Sequence, residues 1–317
     1  MPDPFAALSL NSSALKQEEL FPIREVSRLT GVNSVTLRAW ERRYGLIQPT
    51  RTESGHRLYS QADIESVRNI LTWIERGVAV SKVGKILAKS RSLKAASVPV
   101  YDVVTGSEWQ QWQRQLHTAV SCFDDIQLDR LYGQVFSSYP LPVVFQAILM
   151  PLWQDLLMRH NDIGQTSEWL FYDAFLRGRV MQRLHANRAQ AEDRVIVAAL
   201  PGHCRELELL VTGLLLSHSS VAVSVFAIGQ PLDELVYICD RVKPLGLVLF
   251  SNQVPSEQLP QTLKRLALAV NCPVSLAGEC AELIGDALNG SAIATLGSEG
   301  QLMSQRLQQF LAGNFDT

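Results

Sequence analysis

The side chains of this 317-residue sequence best placed to do chemistry are cations near its start. Arg38 and Arg42 stand four apart in Ser34-Val35-Thr36-Leu37-Arg38-Ala39-Trp40-Glu41-Arg42-Arg43-Tyr44-Gly45-Leu46 and share one stripe of a helix, while Leu37, Trp40 and Tyr44 recur along another. Guanidinium groups held on one side of a helix suit phosphate and base-edge recognition, and the apolar side suits a core. Arg51, His56 and Arg57 follow in a polar stretch. Residues 21–90 hold twelve Lys+Arg against six Asp+Glu, near +6, whereas the other 17 basic and 25 acidic residues leave about −8, a split that the overall −2 conceals. Attraction to a polyanion is therefore confined to one end, and the acidic remainder is repelled from it.

Other chemistries find little support. Cys122, Cys204, Cys239, Cys272 and Cys280 are widely spaced, without a Cys-x-x-Cys pair, and their apolar settings make most of them reduced packing residues; a thiol sensor at Cys204 is the less favoured reading. His117, His160, His185 and His218 lack metal-ligand spacing. No Ser-His-Asp order, P-loop or Gly-x-Gly-x-x-Gly occurs, so neither an enzyme nor a metal site is expected.

These residues need elements to position them. Ile23, Val26 and Leu29 predict a short helix stopped by Gly31, and Asn33 or Ser34 can cap the next, about Ser34 to Tyr44. Leu46 to Pro49 and Arg57 to Tyr59 read as two strands around a polar, Gly-containing loop, a wing. A capped helix from Gln61 toward Gly77 and a shorter one through Val80, Val83 and Leu87 close this core. The expected organisation is a mobile arm at 1–20, a DNA-binding domain at 21–90, a linker at 91–105, a helical bundle at 106–190 and an α/β domain at 191–317. Four helical stretches predict the bundle. In its last helix Arg177, Arg179, Arg183 and Arg188 read as a solvated face rather than a second DNA contact. Beyond Glu192, apolar runs at 195–200, 221–228, 247–250, 273–277 and 292–296 alternate with helical segments, predicting a flavodoxin-like doubly wound parallel sheet.

The order Leu37-Arg38-x-Trp40-Glu41-Arg42-Arg43-x-Gly45-Leu46, Pro49-x-Arg51-Thr52, Gly55-His56-Arg57-x-Tyr59 and Asp63-Ile64, extended by Gly77-Val78-x-Val80-Ser81-Lys82-Val83, resembles the DNA-binding domain of MerR-family transcriptional regulators. The variant with Trp40 is most like the branch of MlrA, CarH and LitR. In the CarH and LitR group the last two domains bind cobalamin, and the resemblance implies a Gly-Glu-x-His-x-x-Gly loop whose His ligates cobalt. Here the loop reads Pro201-Gly202-His203-Cys204-Arg205-Glu206-Leu207-Glu208, with Arg205 at the ligand position and Glu208 at the Gly position. A guanidinium stays protonated and offers cobalt no lone pair. His203 stands two positions early. The implied Trp and Glu-His of the bundle find only Trp153 and Glu168, with Trp169 for the His; Trp153 reads first as bundle core. No cofactor is therefore expected, and Trp153, Glu168, His203 and Arg205 mark the crevice a small ligand would enter.

The resemblance implies a sequence-specific regulator of promoters. Ser34, Val35, Thr36 and Arg38 would face bases or adjacent phosphates of double-stranded DNA, with Arg42, Arg43 and Tyr44 on phosphates and Arg51, His56 and Arg57 gripping the flank from the wing. Relatives bind as dimers, so a homodimer or higher oligomer is expected, with RNA polymerase a further partner. The alternatives are a cobalamin-dependent light-sensing repressor and a body that is only a protein-interaction platform. Met1-Pro2-Asp3-Pro4 shows no secretory pattern and no apolar run spans a bilayer, so the cytoplasm, without membrane contact, is the expected site.

Overall fold

The computed structural model describes residues 20–52, 55–75, 80, 83–84, 104–159, 164–188, 193–202, 204–218 and 221–313. The expected arm at 1–20 lies outside these except for Leu20, as do residues 91–103 of the expected linker and Gly77 and Leu87. The chain forms two compact units, Met1–Ala95 and Ala96–Thr317.

In the first unit, α1 (Ile23–Thr30) ends where Gly31 takes φ 72° and its amide bonds the Ser27 carbonyl at 3.0 Å. Asn33 then caps α2 (Ser34–Tyr44), its side-chain oxygen accepting the Val35 amide at 3.0 Å. Gly45, at φ 60°, closes α2 as a left-handed cap, with Gly45 N–H on the Glu41 carbonyl and Leu46 N–H on that of Trp40. The strands are β1 (Phe21–Pro22), β2 (Thr50–Arg51) and β3 (Arg57–Tyr59), in the order β1-β3-β2. The first wing strand thus starts later than the expected Leu46–Pro49. Leu46 and Ile47 are 5% and 2% exposed and fill the core beside Val26, Leu37, Trp40, Tyr59 and Ile64, so they plug the domain rather than pair along a ladder. Ser60 and Asp63 exchange side-chain and backbone hydrogen bonds at the start of α3 (Gln61–Glu75), a capping box.

The second unit starts with α4 (Val104–Ser121) and α5 (Asp125–Ser138), followed by a π-helical segment, Val143–Leu149, that runs into α6 (Met150–Met158), and then α7 (Gln165–Arg188). Pro151 brings no amide hydrogen to this third helix. The Ala147 carbonyl four residues back, which an α-helix would pair with that amide, accepts the Gln113 side chain of α4 at 2.9 Å.

The sheet comprises β4 (Asp193–Ala199), β5 (Val221–Val225), β6 (Gly246–Phe250), β7 (Val274–Ala277) and β8 (Ile293–Gly297), all parallel in the order β5-β4-β6-β7-β8, which is the flavodoxin-like topology. Alternation along β4 assigns its faces. Val195, Val197 and Ala199 join a core with α8 (Glu206–Leu216), α12 (Gly300–Leu311) and the bundle helices, whereas Ile196, Ala198 and Leu200 join one with α9 (Leu232–Val242), α10 (Leu259–Ala269) and α11 (Glu279–Leu288). Bundle and sheet thus share one hydrophobic core.

Candidate nucleic-acid interface and ligand crevice

The division of α2 follows its spacing except at Tyr44, which shares the stripe of Leu37 and Trp40 but is 41% exposed at the helix end. Leu37 and Trp40 are buried at 0% and 4% exposure, while Val35, Arg38 and Arg42, at spacings of three and four, are all exposed, as are Arg43 and Tyr44. Ser34 and Thr36 are half-buried at the helix start. His56 is exposed in the wing turn, where the Thr52 amide bonds its carbonyl at 2.9 Å.

Two of the expected wing contacts are otherwise engaged. Glu41, on α2, accepts Arg51 at 2.8 Å and is forked by Arg57, whose Nη2 lies at 3.3 Å while Nε closes the second, shorter bond. The Glu41 and Arg57 side chains are 15% and 19% exposed; that of Arg51 is 53% exposed. The Arg57 hydrogen bond, reinforced by Arg51, holds the Glu41 carboxyl below the usual carboxylate range. Arg57 therefore ties the wing to the helix, and the open cations of α2 are Arg38, Arg42 and Arg43. Sequence reasoning missed this clamp; its one signal is an acid set between Arg38 and Arg42.

In the second unit a cavity of about 220 Å³ opens at the C-terminal ends of β6, β7 and β8, lined by Gln146, Met150, Glu208, Asn252, Gly278 and Ser298 among others. Gln146, from the π segment, spans it: its Nε2 donates to the Ser298 carbonyl at 3.1 Å and its Oε1 accepts the Gly300 amide at 2.9 Å. The fit is close there: a Cβ on residue 300 would lie 3.0 Å from both Gln146 Oε1 and Leu215, so a larger residue would have to displace these side chains slightly. Asn252 bridges the floor, donating to Glu208 at 3.0 Å and accepting the Glu279 amide at 3.1 Å.

Of the expected ligand contacts, Trp153 is 1% exposed and donates its indole N–H to Asp173 at 2.9 Å, which makes it bundle core. Asp173 also accepts Arg177, which reaches Glu206 at the start of α8, each at 2.8 Å. Arg205 is exposed, with its guanidinium 5.7 Å from the Trp169 ring centre, and Glu168 is half-buried on the same helix as Trp169. His203 lies outside the described residues. Burial pushes the Cys204 thiol up to about 12, which removes the thiolate a sensor would need.

The solvated-face reading of α7 is corrected. Arg177 is the bridge just described, Arg179 pairs with Asp129, and Arg183 stacks 3.1 Å from the Phe136 ring centre while bonding Tyr132. The side chain of Arg188 lies outside the described residues. Acidic partners for Arg177 and Arg179, and the α5 rings of Tyr132 and Phe136 for Arg183, explain why these arginines pack against the protein rather than stand in water.

A helix-turn-helix with a tethered wing and an outward row of arginines defines a DNA-binding transcriptional regulator. A sequence profile described as "MerR HTH family regulatory protein" matches residues 21–90. The chain is 26% identical over 271 residues to the HTH-type transcriptional repressor CarH of Myxococcus xanthus, covering 83% of this chain and 90% of that one. It is 38% identical over 133 residues to the HTH-type transcriptional regulator MlrA of Escherichia coli, 42% of this chain and 50% of that one. Among solved structures it is similar to the Methanosarcina barkeri monomethylamine corrinoid protein, with TM-score 0.42, 10% identity, and coverage of 63% and 98%. The chain belongs to the MerR family of transcriptional regulators. Among the described residues no helix is long and apolar enough to cross a membrane, and no group of three or more His, Cys, Asp or Glu could hold a metal ion.

Proposed function

We propose that the chain binds double-stranded promoter DNA as a homo-oligomer, with the start of α2 in the major groove. Ser34, Val35, Thr36 and Arg38 read bases or adjacent phosphates there, Arg42, Arg43 and Tyr44 hold phosphates, and the half-open Arg51 with His56 touches the flank. The observation that carries this reading is the exposed row Arg38, Arg42 and Arg43 on the helix whose other side is the buried Leu37–Trp40 core. Genome-wide mapping of bound DNA supplies the operator, and a titration of that duplex against salt tests the contacts. Retention of affinity and salt slope by a variant with all three arginines changed to alanine refutes the reading.

The body carries out its part without a corrin. Three observations support this: Arg205 at the position of the metal-ligating histidine, a cavity of about 220 Å³, and the Gln146 clasp that seats the bundle on the sheet. That volume lies below the roughly 300–1,000 Å³ of ordinary small-molecule sites, and a corrin needs more than those. The residues therefore do not fit cobalamin. Purified protein incubated with adenosylcobalamin and then desalted is expected to carry no corrin absorption band; a retained band overturns this part alone.

A further inference from the structure

We infer that Val35 is a base-specificity residue: its methyl groups pack against the C5 methyl of a thymine in the major groove, so the protein reads that thymine by shape and not by hydrogen bonding. The inference rests on the proposed placement of the start of α2 in that groove. Val35 is 67% exposed, the most exposed large apolar side chain among the described residues of the first unit. Single exposed apolar residues are common on protein surfaces. This one stands at the second position of α2, three residues before Arg38 and seven before Arg42, on the stripe that points away from the core. A β-branched residue is also a poor helix former where nothing packs against it, and its place at the tip of the helix calls for a partner that the chain itself does not supply.

The neighbours leave this reading to Val35. Leu37 is buried, and Ser34 and Thr36 are half-buried. The Asn33 side-chain oxygen is committed to the Val35 amide at 3.0 Å. Of the first turn, Ser34 to Leu37, only Val35 is exposed, and its side chain can neither donate nor accept a hydrogen bond. On the major-groove edges of the bases the thymine methyl is the apolar feature, whereas adenine, guanine and cytosine present hydrogen-bonding groups there. A valine set over those groups would strip them of water and return nothing, so it selects against them as well as for thymine. No acid stands in the first turn to repel the phosphates on either side. Arg38 lies about 4.5 Å further along the helix axis, little more than the rise of one base pair, so the thymine falls within about two base pairs of the one that Arg38 faces.

The test uses the full chain and the operator duplex found by genome-wide mapping, titrated by fluorescence anisotropy at fixed salt. Each thymine of the bound site is replaced in turn by deoxyuridine, which removes the methyl and keeps every hydrogen-bonding group. Wild type is expected to lose about fourfold in affinity at one such thymine, the ratio that burial of a single methyl gives. Val35→Ala is expected to bind the thymine and uracil duplexes equally, near the weaker wild-type value, and Val35→Thr, which keeps the branched shape and one methyl, to retain part of the preference. The inference is overturned by a scan in which no thymine shows a methyl effect, or by Val35→Ala keeping that effect in full. Because the wild-type scan needs no variant, poor folding of Val35→Ala does not shelter the idea. Failure of the wild type to bind the mapped duplex above random DNA defeats the placement of α2 itself, so the two failures are told apart.

Discussion

Consider Glu41→Gln, which keeps the shape of the residue that joins α2 to the wing and removes its charge. Arg57 meets Glu41 through two nitrogens with both side chains under one-fifth exposed, 19% and 15%. A charge-assisted hydrogen bond in such a setting contributes about 1.5–3 kcal/mol. Arg51, at 2.8 Å but 53% exposed, adds at most about 0.5 kcal/mol. Glutamine still accepts one bond, so the loss is about 2 kcal/mol. For a domain of this size that lowers the melting midpoint by roughly 8–15 °C. Scanning calorimetry of the full chain reads it as a downward shift of one transition.

The pH dependence adds a second check. Arg57 first, then Arg51, depresses the folded carboxyl of Glu41. A depressed folded pKa contributes stability that is fully present above the unfolded value and is lost as pH falls through the folded one. The gap between wild type and variant is therefore complete at neutral pH and closes only below the ordinary carboxylate range. Equal midpoints at neutral pH refute the clamp, as does a gap that persists undiminished in strong acid. A double-mutant cycle with Arg57→Gln showing no coupling would do the same.

Four further perturbations are worth making. Arg43→Ala is expected to weaken binding across sequences and lower the salt slope by roughly one unit, measured by fluorescence anisotropy; Arg57→Ala should lower stability while changing that slope less. Gln146→Ala removes two hydrogen bonds and about 1–3 kcal/mol, and should speed hydrogen exchange around Ser298 to Met303; unchanged exchange there means the clasp does not hold. Gly278→Ala should cost about 2 kcal/mol or more in a urea titration, because φ is 91° and a Cβ would overlap the Ser251 carbonyl oxygen.

Much of this was legible in the sequence. Capping residues and glycines fixed α1 and α2, and the unbroken apolar runs of the sheet announced strands buried on both sides, because residues alternating between two cores must all be apolar. What stayed hidden depends on tertiary distance. β1 has two residues and no period to read, and Leu46 and Ile47 look like strand but serve as plugs. The Glu41 fork needs Arg51 and Arg57 brought back from ten and sixteen residues away. The inward turn of Arg179 and Arg183 follows from partners on another helix, Asp129, Tyr132 and Phe136, whose positions no local pattern gives.

The third helix of the bundle owes its winding to an imino acid. With no hydrogen on the nitrogen of Pro151, the turn before it opens to the wider π form, and the amide of Gln113 takes the carbonyl left over at Ala147. Such a turn advances each side chain through a smaller angle than an α-turn does, so the azimuth at which Gln146 leaves the helix is dictated five positions downstream. Substituting an ordinary residue for Pro151 would restore an amide, rewind the segment, and swing that glutamine off the mouth of the sheet.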